Sequence, residues 1–219
     1  MRLIIAKDYA DVSRKAANII AAQIQLKPDC VLGLATGSTP VGMYKKLIEK
    51  NQAGEIDFSA VTTVNLDEYY PISPENDQSY RYFMNENLFN HVNIDKTRTF
   101  VPDGQASDPV AACEAYEEIV AKVGPAAVQV LGIGQNGHIG FNEPDSALEV
   151  RTHVTGLTES TIKANARFFA SEADVPTKAL TMGIGTILNA KKIIILANGA
   201  AKHEAVAKML AGKLDTSCP

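Results

Sequence analysis

Short apolar runs alternate with helical patterns along this 219-residue chain. The runs at 31–35, 128–133 and 192–197 are almost wholly apolar, which is typical of strands buried on both faces of a parallel sheet. Between the runs, apolar residues recur at helical spacing, most clearly over 8–25. The alternation predicts the α/β class, with a single doubly wound, Rossmann-like domain over 1–219, a mainly parallel sheet and helices on both faces.

The same periodicities predict the remaining elements. Turn and cap signals separate them, such as Asp8 before the first helix and Gly124-Pro125 after a later one. Gly183 and Gly185 are unfavourable inside the helix predicted at 179–189. Further strands are expected at 3–6, 61–66, 99–101 and 150–157, and helices at 8–25, 40–52, 79–91, 109–123, 158–169, 179–189 and 201–210.

The composition narrows the class of protein. With 46% hydrophobic and 21% charged residues, the chain resembles a soluble globular protein. A net charge of −4 suggests neither a nucleic acid nor a membrane surface as a partner. The first residues lack the long apolar core of a signal peptide. Cys30, Cys113 and Cys218 form no CxxC pair, which favours a reducing cytoplasm over a disulfide framework or a zinc site.

The segment Thr36-Gly37-Ser38-Thr39 lies between a buried strand and a predicted helix. The glycine lets the backbone approach a ligand, and free N–H groups at the helix start attract an anion. No Gly-Lys-Ser/Thr follows, so this is not a Walker loop. An ordinary capped turn is the alternative, but the added hydroxyl groups favour a phosphate site.

The loop after the strand at 128–133 carries an imidazole and a carboxylate, His138 and Glu143, together with the amide of Asn136. In open α/β sheets, ligands bind beyond the carboxyl ends of the strands, which is where this loop is expected. A histidine in a glycine-rich loop can also be a hydrogen-bonded structural residue. The nearby carboxylate favours a role in proton transfer.

A third polar segment, Asp67-Glu68-Tyr69-Tyr70, is expected as a loop at the end of the strand at 61–66. Solvated loop acids are as good an interpretation of Asp67 alone. However, the three segments should emerge at one edge of a parallel sheet, so they can converge. A phosphate cradle, a carboxylate base and an imidazole suit the isomerisation of a sugar phosphate. A carboxylate can take the carbon-bound proton next to the carbonyl, and a histidine can shuttle the proton of the ring oxygen.

A dinucleotide site is the competing hypothesis, because residues 132–137 fit the pattern GxGxxG after a strand. The fit is weak, since the pattern lies late in the chain. The residues after Gly137 include Asn142-Glu143-Pro144, which does not look like a helix interior. A pyrophosphate there would therefore lack a helix N-terminus.

Five segments in order, VLGLATGSTP, TTVNLDEYY, LGIGQNGHIGFNEP, NARFF and ALTMGIGTIL, closely resemble those of the glucosamine-6-phosphate deaminase family. The resemblance covers nearly the whole chain, and the combination of LDEY with GHIGFNEP is highly specific. It implies conversion of glucosamine 6-phosphate and water to fructose 6-phosphate and ammonia, with no metal and no organic cofactor. Members differ in oligomeric state, so the chain could be a monomer or a homo-oligomer.

The resemblance also implies roles for individual residues. Asp67 matches the base that moves the C2 proton, His138 the group that opens the sugar ring, and Glu143 the carboxylate that orients it. Asn136 stands where some members have Asp, so here it can only position His138 by hydrogen bonding. The phosphate-binding set is implied to include Thr36, Gly37, Ser38, Thr39, Arg167 and Lys202.

Three further expectations follow from the family pattern. His153 and Thr155 stand where some members carry basic residues that bind the activator N-acetylglucosamine 6-phosphate, so no activation is expected. Residues 156–174 are implied to form a lid. The sequence stops at Pro219, short of the family's usual closing strand, so either the chain is truncated or its sheet lacks one edge strand. Related 6-phosphogluconolactonases carry a DER-like motif where this chain has Asp67-Glu68-Tyr69, which disfavours that activity. A non-catalytic sugar-phosphate sensor is disfavoured because a pure binder needs no base.

Overall fold

The computed structural model describes residues 2–158, 162, 169, 171, 175–213 and 215–219. The strands in chain order are β1 Val31–Leu34, β2 Thr62–Asn65, β3 Asp67–Tyr70, β4 Thr99–Phe100, β5 Val128–Leu131, β6 His153–Gly156, β7 Lys178–Thr181 and β8 Ile193–Ile195. The α-helices are α1 Tyr9–Leu26, α2 Ser38–Gln52, α3 Tyr80–Met84, α4 Pro109–Val123, α5 Ile184–Leu188 and α6 His203–Leu210.

The central sheet has five strands in the order β4-β2-β1-β5-β8, and every pair in it is parallel. Alternate residues of the strands face opposite sides. Leu32 and Leu34 pack with α1 and α2, while Val64 and Leu131 pack with α4 and α6. The predicted fold class, a mainly parallel α/β sheet with helices on both faces, is confirmed. The assignment of all of 1–219 to one domain stays a prediction.

A second sheet of three strands, in the order β3-β7-β6, was not predicted, and both of its strand pairs are antiparallel. The expected loop at 67–70 is therefore wrong, because these residues form β3. Only Leu66 separates β2 from β3, so the chain passes directly from one sheet to the other. Two adjacent acids at its start resemble a solvated loop in the sequence, but both are buried.

The prediction at 179–189 is also wrong in its first part. Residues Lys178–Thr181 form the central strand of the second sheet, and α5 starts only after Gly183. The apolar residues of this segment suit a strand paired on both sides as well as a helix. Hydrophobic periodicity alone does not separate a short buried strand from a helix.

Three other predictions need correction or fall outside the structure. Residues 3–6 form no strand, and Ile5 is 80% exposed. The helix predicted at 79–91 is α3 followed by a π-helical turn, Asn85–Phe89. The helix predicted at 158–169 lies almost entirely outside the described residues. The other helices and strands are confirmed, with ends shifted by a few residues, and α1 is capped by Asp8 as expected.

Candidate active site

The predicted anion site lies at the start of α2, directly after β1. Gly37 is the residue before the helix and has a φ of +85°, a left-handed conformation that favours glycine. No side chain of the described residues caps the first turn, so its N–H groups remain free for a ligand. The hydroxyl of Tyr9 donates to the Ser38 carbonyl at 3.0 Å and accepts from the Gly42 N–H at 2.9 Å, which holds this turn from outside.

The loop after β5 brings together the three residues predicted from its sequence. Asn136 donates through Nδ2 to Glu143 Oε2 at 2.7 Å, and its Oδ1 accepts from the His138 N–H at 3.2 Å. The ring atom Nδ1 of His138 lies 3.4 Å from Glu143 Oε2. That separation is longer than a good hydrogen bond, so the carboxylate is close enough to orient the imidazole without holding it tightly. The amide of Asn136 completes the group by fixing both partners.

The imidazole of His138 packs against Gly134. A methyl group added at Gly134 would lie 2.5 Å from His138 Nδ1, a distance that no side chain tolerates. The Gly134 N–H also donates to the His138 carbonyl at 2.8 Å, which closes the loop. The sequence singled out this glycine as part of a GxGxxG pattern, whereas the structure shows that it makes room for the ring.

Asp67 is the first residue of β3 and is only 6% exposed. Burial, and next the negative charge of Glu68, raise the pKa of the Asp67 carboxyl group to about 8. A methyl group added at Gly140 would lie 3.3 Å from Asp67 Oδ2. Because Gly140 follows His138 by two residues, the histidine loop packs directly against this carboxylate. The two groups predicted to share a substrate therefore lie on adjoining segments.

The neighbouring acid, Glu68, has a different task. Its carboxylate accepts three backbone N–H bonds, from Tyr69 at 2.9 Å, Tyr80 at 2.8 Å and Arg81 at 2.9 Å. Two of these donors are in the first turn of α3, so Glu68 anchors that helix. Burial raises the pKa of Glu68 to about 7, against the lowering effect of these N–H groups.

Lys202 ends a short 3-10 helix, Ala200–Lys202, in the segment after β8. Strands β1, β5 and β8 are parallel neighbours, so Lys202 lies at the same sheet edge as Gly37 and His138. The lysine is half-buried, and burial lowers its pKa. It forms no ion pair with another described residue. Arg167, the other predicted phosphate ligand, lies outside the described residues.

Two buried side chains that were not among the predicted site residues fix the histidine loop to β7 and the residue after it. Asn142 donates through Nδ2 to the carbonyls of Ile139 at 2.9 Å and Met182 at 2.8 Å. Thr181 Oγ1 accepts from the Phe141 N–H at 3.2 Å. The segment ALTMGIGTIL was noticed only as part of a resemblance, and nothing in its own composition indicates contact with another loop.

Comparison with known families settles where the chain belongs. Residues 7–219 match the model of the family described as glucosamine-6-phosphate isomerases/6-phosphogluconolactonase. The chain belongs to this family. Glucosamine-6-phosphate deaminases of Lachnoclostridium phytofermentans and Clostridium perfringens are each 57% identical to it over all 219 residues, which cover 93% and 90% of those proteins.

Solved structures of the family agree with this placement. The structure of a monomeric glucosamine-6-phosphate deaminase superposes with a TM-score of 0.97 at 47% identity, covering 100% of this chain and 91% of the other. The 6-phosphogluconolactonase of Thermotoga maritima superposes with a TM-score of 0.76 at 19% identity, over 96% of this chain and 89% of the other, a likeness of fold alone.

No group of three or more His, Cys, Asp or Glu side chains among the described residues is placed to hold a metal ion. None of the helices described combines the length and the apolar character needed to cross a bilayer.

Proposed function

We propose that this family member converts glucosamine 6-phosphate and water to fructose 6-phosphate and ammonia. The observation that carries the proposal is the contact between the histidine loop and the buried Asp67 carboxylate, at the sheet edge that also holds the start of α2. The deaminases that share 57% of its residues support the same substrate. The substrate class is therefore a small sugar phosphate.

The substrate phosphate binds first in this scheme. The free N–H groups and hydroxyls of Thr36, Gly37, Ser38 and Thr39 receive its oxygens, and the Lys202 ammonium adds the opposite charge. The half-buried Lys202 ammonium gains an ion-pair partner when the phosphate arrives. This ion pair adds to the hydrogen bonds that the start of α2 donates. Arg167 is assigned to the same group by family resemblance alone.

Ring opening is the task of the histidine loop. His138 takes the proton of the C1 hydroxyl and returns a proton to the ring oxygen as the C1–O5 bond breaks, which leaves an open-chain aldehyde. Glu143, 3.4 Å from His138 Nδ1, stabilises the imidazolium formed between these two transfers. Asn136 cannot exchange a proton and serves as a positioning residue through its bonds to both.

Asp67 then acts on carbon. Its carboxylate removes the C2 proton, the electron pair forms the C1–C2 double bond, and the carbonyl oxygen O1 takes up a proton, which gives an enolamine. Asp67 returns its proton to C1, and the amino group loses the proton that balances the one gained by O1. The resulting C2 imine adds water and expels ammonia, which gives the ketone of fructose 6-phosphate. A buried carboxylate with a raised pKa is a stronger base than an exposed one, which suits removal of a carbon-bound proton.

Ammonia release from glucosamine 6-phosphate tests the proposal. We expect stoichiometric formation of ammonia and fructose 6-phosphate by the purified chain without added metal. Hydrolysis of 6-phosphogluconolactone in place of ammonia release would assign the chain to the lactonase branch of the family. Tight binding of glucosamine 6-phosphate without any product would indicate a sugar-phosphate sensor.

We also propose the cytoplasm as the compartment in which the chain works. Cys30, Cys113 and Cys218 are all free thiols, and two of them are buried. This state is stable in a reducing environment. The absence of any cofactor and the oligomeric state stay predictions. The activity of the purified chain with and without a chelator tests the need for a metal, and sizing tests the oligomeric state.

A further inference from the structure

Thr181 faces Asp67 across the second sheet. The two residues are directly paired in the register of β3 and β7, so their side chains share one face of the sheet. Thr181 has no exposed surface, and Asp67 has 6%. Unlike Asp67, Thr181 has no role in the reaction scheme above. A buried hydroxyl beside the base calls for an explanation.

The partner of this hydroxyl is the histidine loop. Thr181 Oγ1 accepts from the Phe141 N–H at 3.2 Å, and the Asn142 amide binds the Met182 carbonyl one residue further on. Residues Ile139 and Asn142 form a tight turn through mutual backbone bonds of 3.4 Å and 3.0 Å. The end of β7 therefore holds, through these hydrogen bonds, the turn that directly follows His138.

Gly140 shows how closely the turn packs against Thr181 and Asp67. Its φ is +60°, and a methyl group added there would lie 2.9 Å from Thr181 Oγ1 and 3.3 Å from Asp67 Oδ2. Both oxygens therefore flank the same side of one glycine. No side chain fits at Gly140 between the turn and the two strands. A shift of the turn therefore directly changes the distance between the histidine loop and the Asp67 carboxylate.

We propose that Thr181 is a positioning residue, whose hydroxyl holds Gly140 over the Asp67 carboxylate and thereby sets the placement of His138 relative to that base. This inference rests on the proposed deaminase function and adds a residue to it. The methyl group of Thr181 fills space in the strand, while its oxygen accepts the bond that ties the Phe141 N–H to β7.

Thr181→Val tests this directly, because valine keeps the branched shape and removes the hydroxyl. We expect kcat to fall about 10- to 100-fold, as for a displacement of about 1 Å in a reacting group. KM should change by less than about threefold, because the phosphate loop is built on β1 and α2 and is not touched. Thr181→Ser, which keeps the hydroxyl, should restore most of the rate.

A pH profile separates positioning from a purely structural role. Loosening the turn admits water to Asp67, and burial is the main cause of its raised pKa, so the acid limb of kcat/KM should move to lower pH. The titratable groups around this carboxyl, Glu68, Tyr80 and Tyr116, are unchanged in the variant. A merely destabilised enzyme would lose active fraction without moving this limb.

Thr63→Val is the matched control. Thr63 is also fully buried in a strand, but its hydroxyl makes no hydrogen bond to any described residue. Its replacement should leave kcat and the pH profile unchanged. If Thr181→Val does not fold, Gly140→Ala displaces the same turn from the other side with the hydroxyl intact, and we expect the same loss of kcat and the same shift of the limb.

The outcomes are distinct. An inactive wild-type chain would overturn the proposed function itself. An active wild type, with Thr181→Val equal to it in kcat or slower with an unmoved acid limb, would overturn only the role of Thr181. Failure of Thr181→Ser to recover activity would do the same.

Discussion

Gly37 and Asp67 follow neighbouring strands of one sheet, yet Gly37 is exposed and Asp67 is buried. The proposed phosphate-binding half of the site consists of backbone N–H groups and hydroxyls at a helix start, which a ligand must reach from solvent. The proposed proton-transfer half lies under the turn at Gly140, where burial raises the pKa of Asp67. With these proposed roles, binding depends on access from solvent, whereas the chemistry depends on the exclusion of water.

Asp67→Asn should abolish most of the proton transfer and leave substrate binding nearly unchanged. Because asparagine cannot accept the C2 proton, we expect kcat to fall on the order of 10³-fold, with KM within about threefold of the wild type. Steady-state ammonia release measures both constants. Turnover equal to the wild type would remove Asp67 from the role of base, and an increase in KM alone would move it to the binding half.

The same variant should change the pH dependence of stability. The folded-state pKa of Asp67 is raised, so the folded chain holds this proton at a pH where the unfolded chain has lost it. Stability from this group is complete below the ordinary aspartate pKa of 3.8 and is lost as pH rises through about 8. Asp67→Asn should therefore be the more stable chain at pH 8, by on the order of a few kcal/mol.

Denaturant unfolding at pH 5 and pH 8 measures this effect. The difference between wild type and Asp67→Asn should be larger at pH 8 than at pH 5. A difference that is the same at both values, or that is larger at pH 5, would mean that the carboxyl group is not desolvated as the structure indicates.

Lys202→Met should have the opposite pattern, with weaker substrate binding and nearly unchanged turnover. Methionine keeps much of the apolar stem and removes the charge, so we expect KM for glucosamine 6-phosphate to rise about tenfold or more. Turnover at saturation should change far less, because the proposed task of the lysine is to bind the phosphate and it exchanges no proton with the reacting carbons. Lys191→Met, an exposed lysine before β8, is the control and should bind normally.

The smallest expected effect is that of an added regulator. His153 and Thr155 lie on β6, where some relatives are expected to carry basic residues for N-acetylglucosamine 6-phosphate. Half-saturation by the substrate should remain within about 1.5-fold when this compound is titrated, since a coupling free energy below about 0.3 kcal/mol is no allosteric effect. A clear leftward shift would refute the expectation.

The parts of the site predicted from sequence are those made by residues close in the chain. The start of α2 was recognisable because a glycine, hydroxyl side chains and a proline follow a buried strand. The group of Asn136, His138 and Glu143 spans one loop, so its members had to be near one another.

The features that the sequence did not reveal depend on partners distant in the chain. Asp67 is named by family resemblance, but the burial of Asp67 and Glu68 follows only from the pairing of β3 with β7 and from the N–H donors of α3. The contact of Thr181 with Phe141 joins a strand to the histidine loop with no local signal in either. Propensity and periodicity describe one segment at a time, and the second sheet is made wholly by tertiary pairing.

The single residue between β2 and β3, Leu66, carries a constraint on how this chain can evolve. Successive side chains of a strand alternate between faces, so inserting or deleting one amino acid here would turn Asp67 and Glu68 each to the opposite face of the sheet. The Glu68 carboxylate would then no longer face the start of α3, and the Asp67 carboxylate would no longer face Gly140. Natural variants of this junction should therefore differ by substitution and hardly ever in length.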